Sequence, residues 1–172
     1  MAGRSKSAAS FSSDVGFLRA FMKILGIRTA PQQLRYALIE TDGNTCTLLN
    51  ASTENALKLP AAITSPEAQL KWVNDELSRI IRQNTDIEKI ALKVPEFAGT
   101  KNSSSRFGDY LDAMVLLNAA KSEIPIITKL YGQMATKRAD VKRHAEERIG
   151  KTATGWNHQM ADAIIAAWIL RK

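Results

Sequence analysis

Cysteine is almost missing from this chain of 172 residues: Cys46 stands alone. One thiol excludes an internal disulfide and a cysteine-built zinc site, and suits a reducing compartment. Long apolar runs are missing too. The longest, Ala163 to Leu170, is far too short to span a bilayer, and no apolar signal-peptide core appears near the start. The expectation is a soluble, cytoplasmic protein without a membrane partner. Also absent are a phosphate-cradling glycine loop of nucleotide type, an HExxH or GxSxG motif, and any repeat of fixed period. Acidic residues are in deficit, 17 against 24 lysines and arginines, for a formal net charge of +7. Such an excess raises the local concentration of polyanions and favours nucleic acid as a partner, although a merely basic soluble protein fits the charge equally well.

What is present is enough chain for one domain with a real core. The composition is 45% hydrophobic and 24% charged, and the length does not comfortably hold two domains. Residues 1–22 read as a flexible, serine-rich, basic arm with a short lead-in from Val15 to Met22, and residues 23–172 as the domain.

The stretch Lys23 to Asn50 reads as three strands in an antiparallel meander. Ile24, Leu25 and Ile27 form the first, which is expected to end on Arg28. Leu34 to Glu40 form the second, and the Asp42-Gly43 turn returns it into Cys46 to Leu49. Ala51 to Ser65 reads as a loop. Ser65-Pro66-Glu67 then opens a helix, with a serine cap, proline at the first helical position and an acid in the positive first turn; Leu70, Val73, Leu77, Ile80 and Ile81 follow at helical spacing. A strand over Lys89 to Val94, a helix with Phe107, Leu111, Met114, Val115 and Asn118 along one side, and a strand over Ile124 to Leu130 come next. Lys137 to Ile149 reads as a highly charged helix and Met160 to Leu170 as an apolar one.

Four segments in this order resemble the RNase H-like superfamily, and within it the Holliday-junction resolvases of the RuvC type, over Ile24 to Leu170. They are GIRTAP against the family's GIDPG, IALKVPEFAG against the strand ending in its catalytic glutamate, MATKRADVKRHAEERIG against its lysine-bearing helix, and WNHQMADAIIAAW against its carboxylate-bearing last helix. The resemblance implies an α/β, RNase H-like fold with a mixed five-stranded sheet, three antiparallel strands first and helices on both faces. It also implies two-metal phosphodiester hydrolysis, in which converging carboxylates hold two divalent cations about 3.5–4 Å apart.

The sequence departs from that pattern at the ligand positions. The first-strand aspartate aligns with Arg28 and the fourth-strand glutamate with Lys93; of the paired acids on the last helix, Asp162 stands and Gln159 replaces its partner. Cations at two metal-ligand positions repel a metal, so no metal or other cofactor is expected, and Arg28, Lys93 and Asp162 are expected to pair internally; the bland alternative points both cations to solvent. The rival reading is an active magnesium or manganese endonuclease with a relocated site of Asp162, His158 and Glu96. His158 lies four residues before Asp162, on the same helical face.

A basic apparatus remains. The resemblance places the Lys137 to Ile149 helix against nucleic-acid backbone, with Lys137, Arg138 and Lys142 as contacts and Arg138 and Lys142 sharing a face as i and i+4. Lys101 and Arg106 add charge nearby, beside Ser103, Ser104 and Ser105. The expectation is a catalytically degenerate, nucleic-acid-binding or scaffolding protein, with a homodimer through the Phe107 to Asn118 helix carried over from the family. An interaction module inside a larger complex, without nucleic acid contact, is the third reading.

Overall fold

The computed structural model describes residues 21–96, 102–151 and 157–172. Six strands form one mixed sheet. β1 (Met22–Ala30), β2 (Gln33–Thr41), β3 (Cys46–Leu48), β5 (Ile87–Lys93) and β6 (Ile126–Lys129) lie in the order β3-β2-β1-β5-β6, and β4 (Ala56–Lys58) pairs with β2 beyond β3. β1 and β3 both run antiparallel to β2, while β5 runs parallel to β1 and to β6. Among the described residues, four helices cover both faces: α1 (Pro66–Gln83), α2 (Ser103–Lys121), α3 (Val141–Ile149) and α4 (His158–Trp168).

Strand alternation sorts the core into two layers. On β1, Leu25 and Ile27 join Leu77, Ile80, Leu111 and Val115 of α1 and α2. Ile24 packs the other way, with Ala37 and Ile39 of β2, against Ala163, Ile164 and Ala167 of α4 and Val141 and Ala145 of α3. α4 is buried around almost its whole circumference from Met160 to Ala167. That explains its unbroken apolar sequence, and its alanines allow a close approach to the sheet. Gly26 completes the approach: a Cβ there would lie 2.0 Å from the Ala163 carbonyl oxygen.

Caps fix where the helices begin. Ser65 accepts from Ala68 N as expected, Asn102 accepts from Ser105 N to start α2, and Asn157 accepts from Met160 N to start α4. α2 therefore begins four residues before Phe107.

Several boundaries differ from the sequence-based expectation. The sheet has six strands rather than five, because Ala56–Lys58 pairs with Gln33–Arg35 inside the stretch expected to be loop. Three residues with one buried side chain, Leu57, carry too little pattern to announce a strand. β1 continues past Arg28 to Ala30, since Pro31-Gln32 makes a two-residue turn and Ala30 still pairs with Gln33. Met22 belongs to β1, paired with Thr41, and not to a lead-in; residues 1–20 of the expected arm lie outside the described residues. β6 is shorter than expected, and a 3-10 turn, Tyr131–Met134, follows it. Lys137 and Arg138 precede α3 rather than lying on it: they form a turn in which Val141 N donates to Lys137 O at 2.9 Å.

Candidate nucleic-acid site at the ends of the central strands

Register brings four cations side by side. Arg35 of β2 sits opposite Arg28 of β1, Arg28 opposite Lys93 of β5, and Lys93 opposite Lys129 of β6. Like charges on adjacent strands destabilise a sheet, so the row persists only where other groups compensate it. Arg35 Nη1 donates to Asn55 Oδ1 at 2.8 Å. Arg28 Nη1 donates to the Lys93 carbonyl at 3.0 Å, and its Nε lies 3.4 Å from Asp162 Oδ2. Lys93 is 1% exposed; its Nζ donates to Val94 O at 2.6 Å and to Glu96 Oε1 at 3.0 Å, and sits 4.0 Å from the Tyr131 ring centroid.

Arg28 and Lys93 thus both have acidic partners, but not a shared one. Arg28 pairs with Asp162 across the sheet-helix interface, whereas Lys93 turns to Glu96, three residues on. Neither points freely to solvent, since Arg28's side chain is 20% exposed and Lys93's 1%. Tyr131 ties the two pairs together. Its hydroxyl donates to Asp162 Oδ2 at 3.2 Å, and its backbone N–H donates to Glu96 Oε1 at 2.9 Å.

The titration of these groups follows their burial. Desolvation holds the Lys93 ammonium below the usual lysine range, reinforced by the Arg28 charge and opposed by Glu96. Burial pushes the Asp162 carboxyl up, against the Tyr131 hydrogen bond and the Arg28 and Lys93 charges. Glu96 is held low, first by the Tyr131 N–H and then by Lys93. Asp162 Oδ1 is buried without a hydrogen-bond partner.

A cavity of about 440 Å³ gathers Arg28, Lys93, Glu96, Tyr131, Arg138, His158, Gln159 and Asp162. The four aligned positions and the rival pair His158 and Glu96 therefore do share one pocket. A second cavity of about 720 Å³ shares Arg28, Glu96 and Gln159 with it and extends to Asp109 and Asp112. Gln159 accepts a hydrogen bond from the Gln33 side chain, so its amide is held by β2.

The expected basic contacts divide. Arg138 reaches the 440 Å³ cavity from the turn before α3. Lys137 is exposed in the same turn, and Lys142 is half-buried on α3. The expected common face of Arg138 and Lys142 does not exist, because only Lys142 is helical. Arg106 lies in the first turn of α2, exposed; Lys101 lies outside the described residues.

Sequence reasoning missed Tyr131, whose role depends on the 3-10 turn after β6. It also missed Asp112, a buried acid on α2 that accepts a hydrogen bond from Thr29 and whose carboxyl burial pushes up. An acid between Leu111 and Val115, on the inward face of the helix, was the available signal.

No protein-family model matches the sequence, and no curated protein sequence matches it. Solved structures do match. A structure of Thermus thermophilus RuvC in complex with Holliday junction substrate superposes with a TM-score of 0.72 at 16% identity, over 86% of this chain and 92% of that one. A second Thermus thermophilus RuvC structure gives 0.71 at 14%, over the same 86% and 92%. The yeast mitochondrial Holliday junction resolvase gives 0.58 at 14%, over 87% and 78%. The chain therefore has the RNase H-like fold in its RuvC arrangement.

The residues present do not fit the metal pair which that fold implies. Hard divalent cations require converging oxygen donors, whereas two of the aligned positions are cationic and a third is the Gln159 amide, itself bonded to Gln33. Asp162 Oδ2 is engaged by Arg28 and Tyr131, and Glu96 by Lys93. Among the described residues, no group of three or more His, Cys, Asp or Glu side chains could hold a metal ion.

Proposed function

We propose that this protein is a catalytically degenerate RuvC-like protein, working in the cytoplasm, that binds nucleic acid through the basic end of its sheet and does not cut it by two-metal hydrolysis. One observation carries the reading: the buried Lys93 ammonium, bonded to Glu96, stands in register with the Arg28 that pairs with Asp162. A phosphodiester arriving here meets the partly exposed Arg28 guanidinium, with the Lys93 ammonium buried behind it against Glu96 and Tyr131, rather than a carboxylate cage that positions a metal-bound nucleophile.

The chemistry left to such a site is recognition. Arg138 at the cavity, Lys137 in its turn, Lys142 on α3 and Arg106 on α2 supply cations for backbone phosphates, which position a protein on nucleic acid without reading its sequence. The RuvC relative holds a Holliday junction substrate, and a branched duplex is accordingly the first ligand to try. The rival nuclease set of Asp162, His158 and Glu96 shares the pocket. One oxygen of each carboxylate is already engaged, Asp162 Oδ2 by Arg28 and Tyr131 and Glu96 Oε1 by Lys93, which weighs against that reading.

Binding of the full chain to branched and linear duplexes, measured across a salt series, tests the proposal. Affinity should fall steeply with salt, and Arg138→Ala should make the salt slope shallower by about one unit. No binding at low salt would assign the chain to protein interaction instead. Cleavage that requires magnesium or manganese and is abolished in Asp162→Asn would overturn the degenerate reading.

A further inference from the structure

Beyond the cavity at the strand ends, a groove leads away from it across the β1–β2 turn toward α2. It consists of two adjoining hollows of about 530 and 730 Å³ that share Pro31, Gln32, Leu59 and Ser104. Gln159 belongs both to the nearer hollow and to the cavity that holds Arg28 and Asp162, so the two adjoin there.

The lining changes character along this path. The strand-end cavities contain Glu96, Asp109, Asp112 and Asp162. Among the described residues, the groove is lined by no aspartate or glutamate at all; its charged side chains are Lys58 and Arg106, one in each hollow. Both are exposed, and neither makes an ion pair among the described residues. Between the cations the surface is uncharged: amide and hydroxyl side chains in the nearer hollow give way to proline, leucine and isoleucine side chains of the β1–β2 turn and the approach to α1, interspersed with Thr64 and Gln69, with two aromatic rings at the far end. Phe107 is rooted in the core, and Tyr110 packs against it edge to face, with centroids 6.4 Å apart. Tyr110 is 53% exposed although it is propped from behind.

A groove with cations at intervals, no carboxylate, and a supported, exposed aromatic ring suits a ligand that alternates negative charge with flat apolar faces. Duplex DNA hides its base faces; an unpaired strand shows them, and every base can stack on an aromatic ring. We propose that this groove seats an unpaired nucleic-acid strand leaving the strand-end site, with a base stacked on Tyr110 and the backbone phosphates on Arg106 and Lys58. The inference rests on the nucleic-acid reading above and names its substrate class: a duplex or branch carrying a single-stranded tail or gap.

The test compares a blunt duplex with the same duplex bearing a ten-nucleotide tail, by fluorescence anisotropy with the full chain, and places 2-aminopurine within the tail. The tail should tighten binding about tenfold and its 2-aminopurine should be quenched on binding. Tyr110→Ala should weaken the tailed substrate roughly fivefold or more, the range stacking supplies, and leave the blunt duplex unchanged; Tyr110→Phe, which keeps the ring, should restore both affinity and quenching. A tail that adds nothing while the blunt duplex still binds would overturn this inference and leave the nucleic-acid reading standing. Loss of affinity for both substrates in Tyr110→Ala would mark the ring as a structural prop and would also overturn it. Failure of every nucleic acid, with retention of an acidic, aromatic-containing peptide by the wild type and not by Tyr110→Ala, would assign the groove to a protein partner and sink both readings together.

Discussion

Gly26→Ala is the substitution whose consequence the structure specifies most closely. The added methyl would sit 2.0 Å from the Ala163 carbonyl oxygen and 2.8 Å from Ala167 Cβ. Ordinary contact begins at 3.4 Å, so α4 and β1 must separate by about 1.4 Å, and the obstruction is helix backbone that cannot rotate aside. Overpacking in cores typically costs about 1–3 kcal/mol, occasionally more. A backbone clash beneath the most buried helix belongs at the upper end, about 3 kcal/mol, which at this chain length lowers the melting temperature by roughly 6–12 °C. Urea unfolding followed by circular dichroism measures the change directly. Gly108→Ala is the control: nothing lies within 4 Å of its Cβ position, and the residue is inside α2, so alanine should stabilise by about 0.5–1 kcal/mol through helix propensity. The displacement also reaches the site, because Arg28 and Asp162 lie two residues and one residue from the point of contact. Gly26→Ala and Asp162→Asn should therefore be non-additive in a double-mutant cycle. A Gly26→Ala protein within about 0.5 kcal/mol of wild type, the range of an inconsequential substitution, would show that α4 does not lie this close and would remove the geometric basis of the Arg28–Asp162 pair.

Lys93→Met removes a buried ammonium at nearly constant length. Its folded-state pKa lies below the usual 10.5, so between the two values the unfolded chain binds more protons, and wild-type stability should rise as pH climbs toward 10.5. The methionine variant should lose that rise and, at neutral pH, gain about 1–2 kcal/mol, since its partner Glu96 is 47% exposed and can hydrate; urea midpoints from pH 7 to 10.5 decide, and a destabilised variant would mean that the cation is a net support. On α2, Leu116 and Leu117 are 41% and 42% exposed, while Asn118 is buried against Asn74 and Ser78 of α1. A homodimer through this helix should thus use the Leu116–Leu117 side and not the face turned to the core, and Leu117→Lys should convert dimer to monomer in sedimentation velocity; a wild type that is already monomeric at high concentration would end the carry-over.

The meander, the proline-led helix and the apolar last helix were all legible in the sequence, because each repeats a pattern over many residues. Arg28, Lys93, Gln159 and Asp162 do meet in one pocket. What stayed hidden was relational. That Arg35 and Lys129 extend the cation row depends on strand register, which apolar alternation constrains by parity but does not specify residue by residue. That Lys93 chooses Glu96 over Asp162 follows from the route of the chain beyond Pro95, and the hold of Tyr131 on both acids follows from a 3-10 turn too short to leave a periodic trace. Charge pattern alone places Arg138 on a helix; the turn that carries it begins after Ala135, a non-glycine residue at positive φ that composition does not flag.

The clamp of Tyr131 across Glu96 and Asp162 has an outcome for where sensitivity resides. Because the charges facing an incoming strand are covalently part of the chain, occupancy under the proposed reading needs no bound divalent ion, and magnesium enters only as a counterion competing for the phosphates. Under that reading, what is left to vary is the strand itself: how much of it is exposed and for how long.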